Sequence, residues 1–463
     1  MIKQTRMGDI RHRVHLERLA TINLPFPRTV RRGVPILSNP TSTVIVGRKL
    51  QSLDGLRAIA IILVFCNHAK DLCPPINLIT NYVSHSVGLG WMGVDLFFVL
   101  SGFLITGILL DTRDASNYFS GFYARRVLRI FPLYYLVLIA VIVAGSLLNS
   151  PKVASVLPAA EDRWFYFCYL TNWIGLWRGR AGMGSGYLIH FWSLAVEEQF
   201  YLFWPLVVWL VRPRAIPWVA GAVAVFATVF RFAWAVQGGH EKTVIAWATL
   251  LRPDALFVGA ICAYLFRYPA RVSVFRKWLP WIATLGVGSS FLALSGMFFF
   301  PVQAGRLLFG SSPAHHNLDE AIPFYMDCGG YTLLALGFGA LVLLAAHTEG
   351  ESSWMQKFLS SRALAPIGKY SYGIYVFHYP ILGAATIYAV PRLIVHSVGE
   401  AIITPLALVI VVATVTFAIS AMSYEFFEKR ILRLRRYFEA QYALVPDEEI
   451  LCDGAVVTET AGD

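Results

Sequence analysis

The sequence predicts an all-α fold, a polytopic membrane bundle of about ten transmembrane helices with both termini in the cytoplasm. Three observations support this. Hydrophobic residues make up 57% of the 463 residues and charged residues only 14%, whereas soluble domains average roughly 45–50% and about 25%. Ten apolar stretches approach the length of about 20 residues that a spanning helix needs. Lysine and arginine are also distributed unevenly between the segments that connect these stretches.

The ten stretches follow one another from residue 54 to residue 424. They lie near 54–73, 91–110, 132–148, 190–211, 216–236, 250–267, 279–300, 330–347, 371–391 and 402–424. An eleventh stretch, 164–178, is short and rich in Trp and Tyr, which favour the headgroup level. We therefore expect it to lie in the interface or to re-enter, without crossing.

The basic residues predict the orientation of this bundle. With a cytoplasmic N-terminus, 28 of the 39 Lys and Arg residues fall in inside segments and seven in outside loops, which is a positive-inside signal. Residues 1–50 carry ten basic and two acidic residues, and we expect a disordered cytoplasmic arm near anionic membrane lipid. Residues 51–430 form the predicted membrane domain, and 431–463 a cytoplasmic tail.

Composition also limits the classes of function. Too few charged residues remain to coat a water-facing surface, despite the net charge of +11. This excludes an ordinary soluble enzyme, a disordered regulator and a nucleic-acid binder. The six cysteines form no C-x-x-C pair, so neither a disulfide framework nor a zinc site is expected.

Ionisable side chains at membrane depth are costly and usually mark function. Arg57 and His68 lie eleven residues apart on the first span, about three helical turns, so they share one face roughly 16 Å apart. An isolated buried histidine is usually a core residue. A histidine that shares its helix face with a buried arginine indicates a functional site more strongly. His68 is therefore the candidate general base.

Carboxylates are expected near the depth of His68. Asp95 lies about five residues into the second span, where it would fix the tautomer of an adjacent imidazole and stabilise its cation; a helix-start aspartate that suits the helix dipole is the alternative. Glu197 and Glu198 lie about 11 Å into the fourth span. Since adjacent helical residues point about 100° apart, only one of them should face the site, and Glu198 is slightly favoured.

A basic segment precedes the third span. Arg126 and Arg129 lie three residues apart on one helical face, which suits phosphate groups, although simple positive-inside anchoring explains them equally well. If they hold the phosphates of a nucleotide-like donor, His68 lies deeper along the face of Arg57. The long uncharged arm of coenzyme A, which ends in a thioester, would bridge that distance. Acyl-CoA would then enter from the cytoplasm, and an acceptor hydroxyl from the outer side.

Six sequence blocks occur in an order typical of one family. They are Arg57 followed after ten residues by His68, 93–105 (GVDLFFVLSGFLI), 125–135 (RRVLRIFPLYY), 190–205 (HFWSLAVEEQFYLFWP), 252–260 (RPDALFVGA) and 370–380 (YSYGIYVFHYP). Over roughly residues 50–430, the chain resembles the multi-span membrane O-acyltransferases of acyltransferase family three. One departure is that Glu428 is followed by Lys429 and Arg430, where members commonly have a proline two residues after the glutamate.

The resemblance implies transfer of an acyl group, often acetyl, from acyl-CoA to a hydroxyl of a cell-envelope carbohydrate or lipid-linked glycan. It implies that His68 is essential and that Arg57, Arg126 and Arg129 serve donor binding or site architecture. His68 would act as general base, or less directly as a transient acyl carrier, oriented by Asp95 or Glu198. The expected donor is acetyl-CoA, the expected location is the bacterial inner membrane, and no metal is expected.

Three other interpretations follow from the same residues. A bundle with buried charge could form a transporter or a flippase for a glycan-linked lipid, although inverted repeats with broken helices are not evident. A non-catalytic acceptor-binding subunit would tolerate loss of His68. His378, about 10 Å from the inner boundary of its span, could instead carry the chemistry or line the tunnel for the donor.

Overall fold

The computed structural model describes residues 50–73, 78–148, 157–178, 186–236, 252–274, 276–299, 326–390 and 398–441. Within these ranges every regular element is a helix, which confirms the predicted all-α class. The predicted arm, apart from Leu50, and residues 442–463 of the predicted tail lie outside the described residues.

The helices differ widely in length. In the first half of the chain they are α1 (Gln51–Ala69), α2 (Leu78–Gly88), α3 (Met92–Asp111), α4 (Tyr118–Leu148), α5 (Arg163–Phe167), α6 (Ile174–Arg178), α7 (Phe191–Leu210) and α8 (Ile216–Val236). In the second half they are α9 (Asp254–Arg267), α10 (Pro269–Ser273), α11 (Leu279–Phe299), α12 (Tyr331–His347), α13 (Trp354–Leu359), α14 (Leu364–Lys369), α15 (Ser371–Tyr388), α16 (Val398–Ser423) and α17 (Lys429–Leu432).

The predicted apolar stretches coincide with helices. Each of the ten overlaps a helix of at least 14 residues in the described chain. Among the described residues, five segments are long and apolar enough to cross a membrane, namely Gln51–Leu72, Val83–Asp111, Tyr118–Leu148, Pro213–Trp234 and Ile403–Phe438. Tyr331–His347 is a shorter apolar helix. These segments fit a multi-span membrane protein, while the number ten and the cytoplasmic termini stay predictions.

The stretch 164–178 contains no continuous helix. It divides into α5 and α6, each of five residues, and neither is long enough to cross a bilayer. Gln199 of α7 holds the connection between them, because its side-chain amide donates to the carbonyl of Tyr169 at 2.8 Å and to Asn172 at 2.9 Å. Trp173 donates to the side-chain oxygen of Gln199 at 3.1 Å. This agrees with the expectation of a segment that does not cross.

The basic segment before the third span is helical and not a loop. Arg126 and Arg129 lie in the first half of α4, which is 31 residues long. The side chain of Asn117, just before α4, donates to the carbonyl of Glu439 at 2.7 Å and accepts from the amide of Gln441 at 2.9 Å. These bonds hold residues 439–441 of the predicted tail against the start of α4.

Val83–Asp111, which contains the predicted second span, is the most buried of these five candidate segments. Its helix α3 packs on α9 at glycine positions, because a Cβ on Gly102 would lie 1.9 Å from the carbonyl oxygen of Leu256, and one on Gly259 would lie 2.2 Å from that of Val99. Only glycine permits such an approach, as is common between membrane helices. The contact holds the opposite face of α3 toward the candidate site.

Candidate active site

A cavity of about 300 Å³ runs along α3 between α1, α4, α7 and α15. Four of the residues that line it are arginines, Arg57, Arg126, Arg129 and Arg435, and we call this part of the cavity the arginine end. We call the part lined by Tyr375, Ser193 and the apolar residues Val94, Phe97, Phe98 and Leu194 the tyrosine end.

The cavity is long and narrow. The lining residues of α3 include Val94, Phe97, Ser101, Leu104 and Ile108, whose spacing of three and four residues forms one helical stripe. From first to last this stripe extends about 21 Å along the helix axis at 1.5 Å per residue. A volume of about 300 Å³ spread over that length accommodates an extended chain better than a compact molecule. We call it the tunnel.

The three arginines predicted to serve the donor line this one tunnel. Arg57 pairs with Asp54 at 2.6 Å, and both side chains are about one quarter exposed. The guanidinium of Arg126 lies 5.7 Å from the ring centre of Tyr201. Arg129 completes the group on the next turn of α4. Guanidinium groups placed so are suited to binding phosphate oxygens through paired hydrogen bonds.

A fourth arginine at this end was missed by the sequence reasoning. Arg435 lies in the segment predicted to be a tail, yet it lines the tunnel because the following residues return to the start of α4. The carbonyl of Phe438 accepts a hydrogen bond from Arg125 there. The only signal in the sequence was a run of basic residues after the last span, which is also what positive-inside anchoring produces.

The middle of the tunnel is polar. The hydroxyls of Ser101 and Tyr201 are hydrogen bonded to each other, and Tyr201 donates to the carboxylate of Glu197 at 3.2 Å. Glu197 lines the tunnel, whereas Glu198 is not among the described residues that do. As expected from the rotation of about 100° between adjacent helical residues, only one of the two glutamates lines the tunnel. It is Glu197 and not the slightly favoured Glu198.

His68 pairs with His378. Nδ1 of His68 lies 2.8 Å from Nε2 of His378, and the two rings stack with centres 5.1 Å apart. Nδ1 of His378 lies 2.6 Å from the carbonyl oxygen of Tyr375 and 3.2 Å from that of Ile374. His378 is fully buried, whereas His68 is partly exposed.

These contacts determine which nitrogens of the neutral pair carry protons. A carbonyl only accepts, so Nδ1 of His378 is the donor and its Nε2 is an acceptor. Nδ1 of His68 must then donate to that acceptor, which leaves the lone pair on Nε2 of His68. The tautomers are assigned from the network of hydrogen bonds. The result is an imidazole whose free nitrogen is suited to removing a proton.

A third imidazole lies beside this pair. The ring centre of His190 is 5.0 Å from that of His378, and its side chain is 1% exposed. Neither ring nitrogen has a hydrogen-bond partner of good geometry among the described residues, although the carbonyls of Tyr375 and Val376 lie nearby. In the described chain, no group of three or more His, Cys, Asp or Glu is placed to hold a metal ion.

Tyr375 separates the tunnel from the histidines. Its hydroxyl donates to the carbonyl of His190 at 2.8 Å and is hydrogen bonded to Ser193. Its ring centre lies 5.6 Å from that of His378. Tyr375 and Ser193 line the tunnel, whereas none of the three histidines is among the described residues that do. The tunnel thus ends one helical turn short of the His68–His378 pair.

Asp95 does not lie beside His68, contrary to the expectation. Its carboxylate pairs with Arg252 at 2.5 Å, and Arg231 pairs with Asp254 at 2.8 Å, with all four side chains at most 4% exposed. A buried guanidinium without a counter-ion is strongly unfavourable. The carboxylate of Asp95 therefore pairs with Arg252. The partner of His68 in the structure is the neutral His378.

Another charged cluster lies next to the tunnel, since Lys369 lines a small second cavity together with Arg129 and Tyr372, which also line the tunnel. Lys369 pairs with Glu425 at 2.7 Å, and Lys429 pairs with the same carboxylate at 2.8 Å. The hydrogen bond that Lys369 donates to the carboxylate of Glu425 raises the pKa of Lys369. These residues form an exposed set of ion pairs that joins α14 to the end of α16, and such pairs contribute little to stability.

Comparison with known proteins gives a consistent family. Residues 50–425 match a family model described as an acyltransferase domain. The peptidoglycan O-acetyltransferase OatA of Listeria monocytogenes is 29% identical over 396 residues, which cover 82% of this chain and 55% of the relative. The O-acetyltransferase OatA of Staphylococcus aureus is 27% identical over 416 residues, which cover 87% of this chain and 60% of the relative.

The matches cover most of this chain but not most of each relative. The chain spans between 55% and 60% of the length of these two relatives. No solved structure matches it.

Proposed function

Because this chain belongs to the acyltransferase family whose model spans residues 50–425, we propose that it is a membrane O-acyltransferase. It moves an acyl group, most simply acetyl, from acyl-CoA to a hydroxyl of a cell-envelope carbohydrate. The names of the relatives, which describe O-acetyltransferases and in one case peptidoglycan, support this class of acceptor. The proposed location is the bacterial inner membrane.

The donor enters from the cytoplasmic side. We assign the arginine end to the cytoplasmic side because Arg126, Arg129 and Arg435 belong to basic segments of the kind that the positive-inside rule associates with the cytoplasm. Arg57, Arg126, Arg129 and Arg435 bind the phosphates of coenzyme A. Its uncharged arm extends along the α3 stripe, whose length of about 21 Å matches a long thin chain. The thioester then reaches the tyrosine end.

The acceptor is activated at His68. Nε2 of His68 takes the proton of the acceptor hydroxyl, the oxygen attacks the thioester carbonyl, and the carbon–sulfur bond breaks. The departing thiolate recovers the proton, so the products are the ester and free coenzyme A. The imidazolium formed at His68 donates a charge-assisted hydrogen bond to His378, which stabilises it without a carboxylate. General-base catalysis of this kind contributes about 10²–10⁴-fold in rate.

The two substrates approach from opposite sides of Tyr375, which forms a layer between the tunnel and the histidines. The thioester carbonyl lies against Tyr375 and Ser193, and His68 lies beyond His378. Transfer therefore requires the side chain of Tyr375 to move aside when both substrates are bound. A closed layer in the absence of acceptor also keeps water from the thioester.

One observation carries the proposal most directly. Four arginines line one tunnel together with Tyr375 and Ser193, and His378, the partner of His68, lies one helical turn beyond Tyr375 on α15. A membrane anchor or a scaffold protein does not require an arginine-lined tunnel next to a histidine pair.

The test is transfer of label from radiolabelled acetyl-CoA to soluble peptidoglycan fragments by the purified protein. We expect wild type to label the fragments and His68→Ala to lose at least about 10²-fold in turnover. His85→Ala, a histidine of α2 outside the tunnel, is the matched control and should retain activity. Equal activity of His68→Ala and wild type would contradict the assigned base.

A further inference from the structure

The tyrosine end of the tunnel has a shape that bears on the acyl group itself. This inference rests on the proposed function. We propose that Phe97 limits the donor to short acyl groups by closing the space beyond the thioester. The evidence is the order of polar and apolar side chains at this end.

The last polar groups of the tunnel are two hydroxyls. Tyr375 and Ser193 lie at the tyrosine end and are hydrogen bonded to each other. The other side chains that line this end are apolar, namely Val94, Phe97, Phe98 and Leu194. A thioester carbonyl placed at the hydroxyls has only apolar surface ahead of it. The acyl chain must fit against that surface.

Phe97 occupies this space most directly. It is on the α3 stripe that faces the tunnel, and its side chain is partly exposed although it lies at membrane depth. Its ring meets that of Tyr375 edge to face, with centres 6.2 Å apart at 75°. Phe98 is 1% exposed and packs edge to face on Trp192. Phe97 is therefore the large ring that a longer acyl chain would have to displace.

The size of the tunnel agrees with this role. Its volume of about 300 Å³ is at the lower limit of small-molecule sites, which range from about 300 to 1,000 Å³. Most of it is needed for the arm of the donor. A hydrophobic pocket distinguishes substrates that differ by one methylene by about 10–200-fold. Two extra methylenes, as in butyryl-CoA, should thus be rejected strongly.

The experiment compares acetyl-CoA and butyryl-CoA in the same transfer assay. We expect wild type to favour acetyl by at least about 10²-fold in kcat/KM, and Phe97→Ala to reduce that preference to below about 10-fold, because the removed ring leaves room for the two methylenes. The matched control is Phe103→Ala on the same helix. Phe103 is buried against Phe266, with ring centres 5.5 Å apart, and does not line the tunnel.

The outcomes separate this inference from the proposed function. An unchanged acetyl preference in Phe97→Ala, with acetyl transfer intact, would overturn the role of Phe97 and leave the proposed function standing. An equal loss of preference in Phe103→Ala would overturn it too, since the effect would not be local. Phe97→Leu, which keeps most of the apolar volume, provides an intermediate preference if the alanine variant does not fold. Absence of acetyl transfer by wild type would instead contradict the proposed function.

Discussion

Replacing His378 with alanine removes the group that accepts the Nδ1 proton of His68. The bond is 2.8 Å long in the neutral pair and becomes charge-assisted when His68 is protonated during transfer. Hydrogen bonds to charged groups contribute about 1.5–3 kcal/mol, and 1.36 kcal/mol corresponds to a tenfold change in rate. His378→Ala should therefore lower kcat by about 10- to 150-fold. KM for acetyl-CoA should change little, since His378 does not line the tunnel.

A graded set of variants separates orientation from direct chemistry. His378→Gln offers an amide oxygen that can accept the same proton, so it should recover part of the lost turnover. The double variant His68→Ala/His378→Ala should be no slower than His68→Ala alone, because residues that act as a unit are not additive. The assay is single-turnover transfer from radiolabelled acetyl-CoA. Loss in His378→Ala as complete as in His68→Ala, with no recovery in His378→Gln, would refute the orienting role and place the chemistry at His378.

Other parts of the account make separate predictions. Arg435→Ala should raise KM for acetyl-CoA about tenfold, the usual order for one charge-assisted contact. Its neighbour Arg433, which is exposed like Arg435 but is not among the described residues that line the tunnel, should tolerate alanine. Equal effects in both variants would indicate an effect of general surface charge. Asp95→Ala should lower the stability of the folded protein by about 3–5 kcal/mol because it leaves Arg252 buried without a counter-ion. Thermal unfolding in detergent measures this loss of stability. A drop in kcat of Asp95→Ala with unchanged Tm would instead indicate that Asp95 acts in catalysis. Reporter fusions at residues 160 and 445 should report outside and inside respectively, and the reverse would break the predicted topology.

The sequence predicts the helices well because the signal for a membrane helix lies within the residues of that helix. An apolar stretch of about 20 residues has few other uses, so the ten predicted stretches fall on helices of the structure. The prediction that 164–178 does not cross the membrane also rests on a local signal, because this stretch is short and its aromatic residues favour the interface. The spacing of Arg126 and Arg129 likewise predicts a shared face, which the tunnel lining shows.

The partners of the site residues were not predictable in the same way. His68 and His378 are 310 residues apart in the chain, and Asp95 and Arg252 are 157 apart. Asp95 was expected near His68 because both residues lie at a similar depth in their predicted spans. Similar depth does not determine which helices are neighbours. The glycine contacts between α3 and α9 decide that Asp95 meets Arg252. Pairing between distant helices is a property of the packed bundle and has no local signal.

The measurement that tests the central claim most directly is transfer across a sealed membrane. Purified protein in liposomes would be given radiolabelled acetyl-CoA on the side of its arginine end and soluble peptidoglycan fragments on the opposite side only. The account predicts labelled fragments with wild type and none with His68→Ala, since the donor tunnel and His68 open on opposite sides of the Tyr375 layer. Labelling that occurs only when donor and acceptor share one side would contradict it.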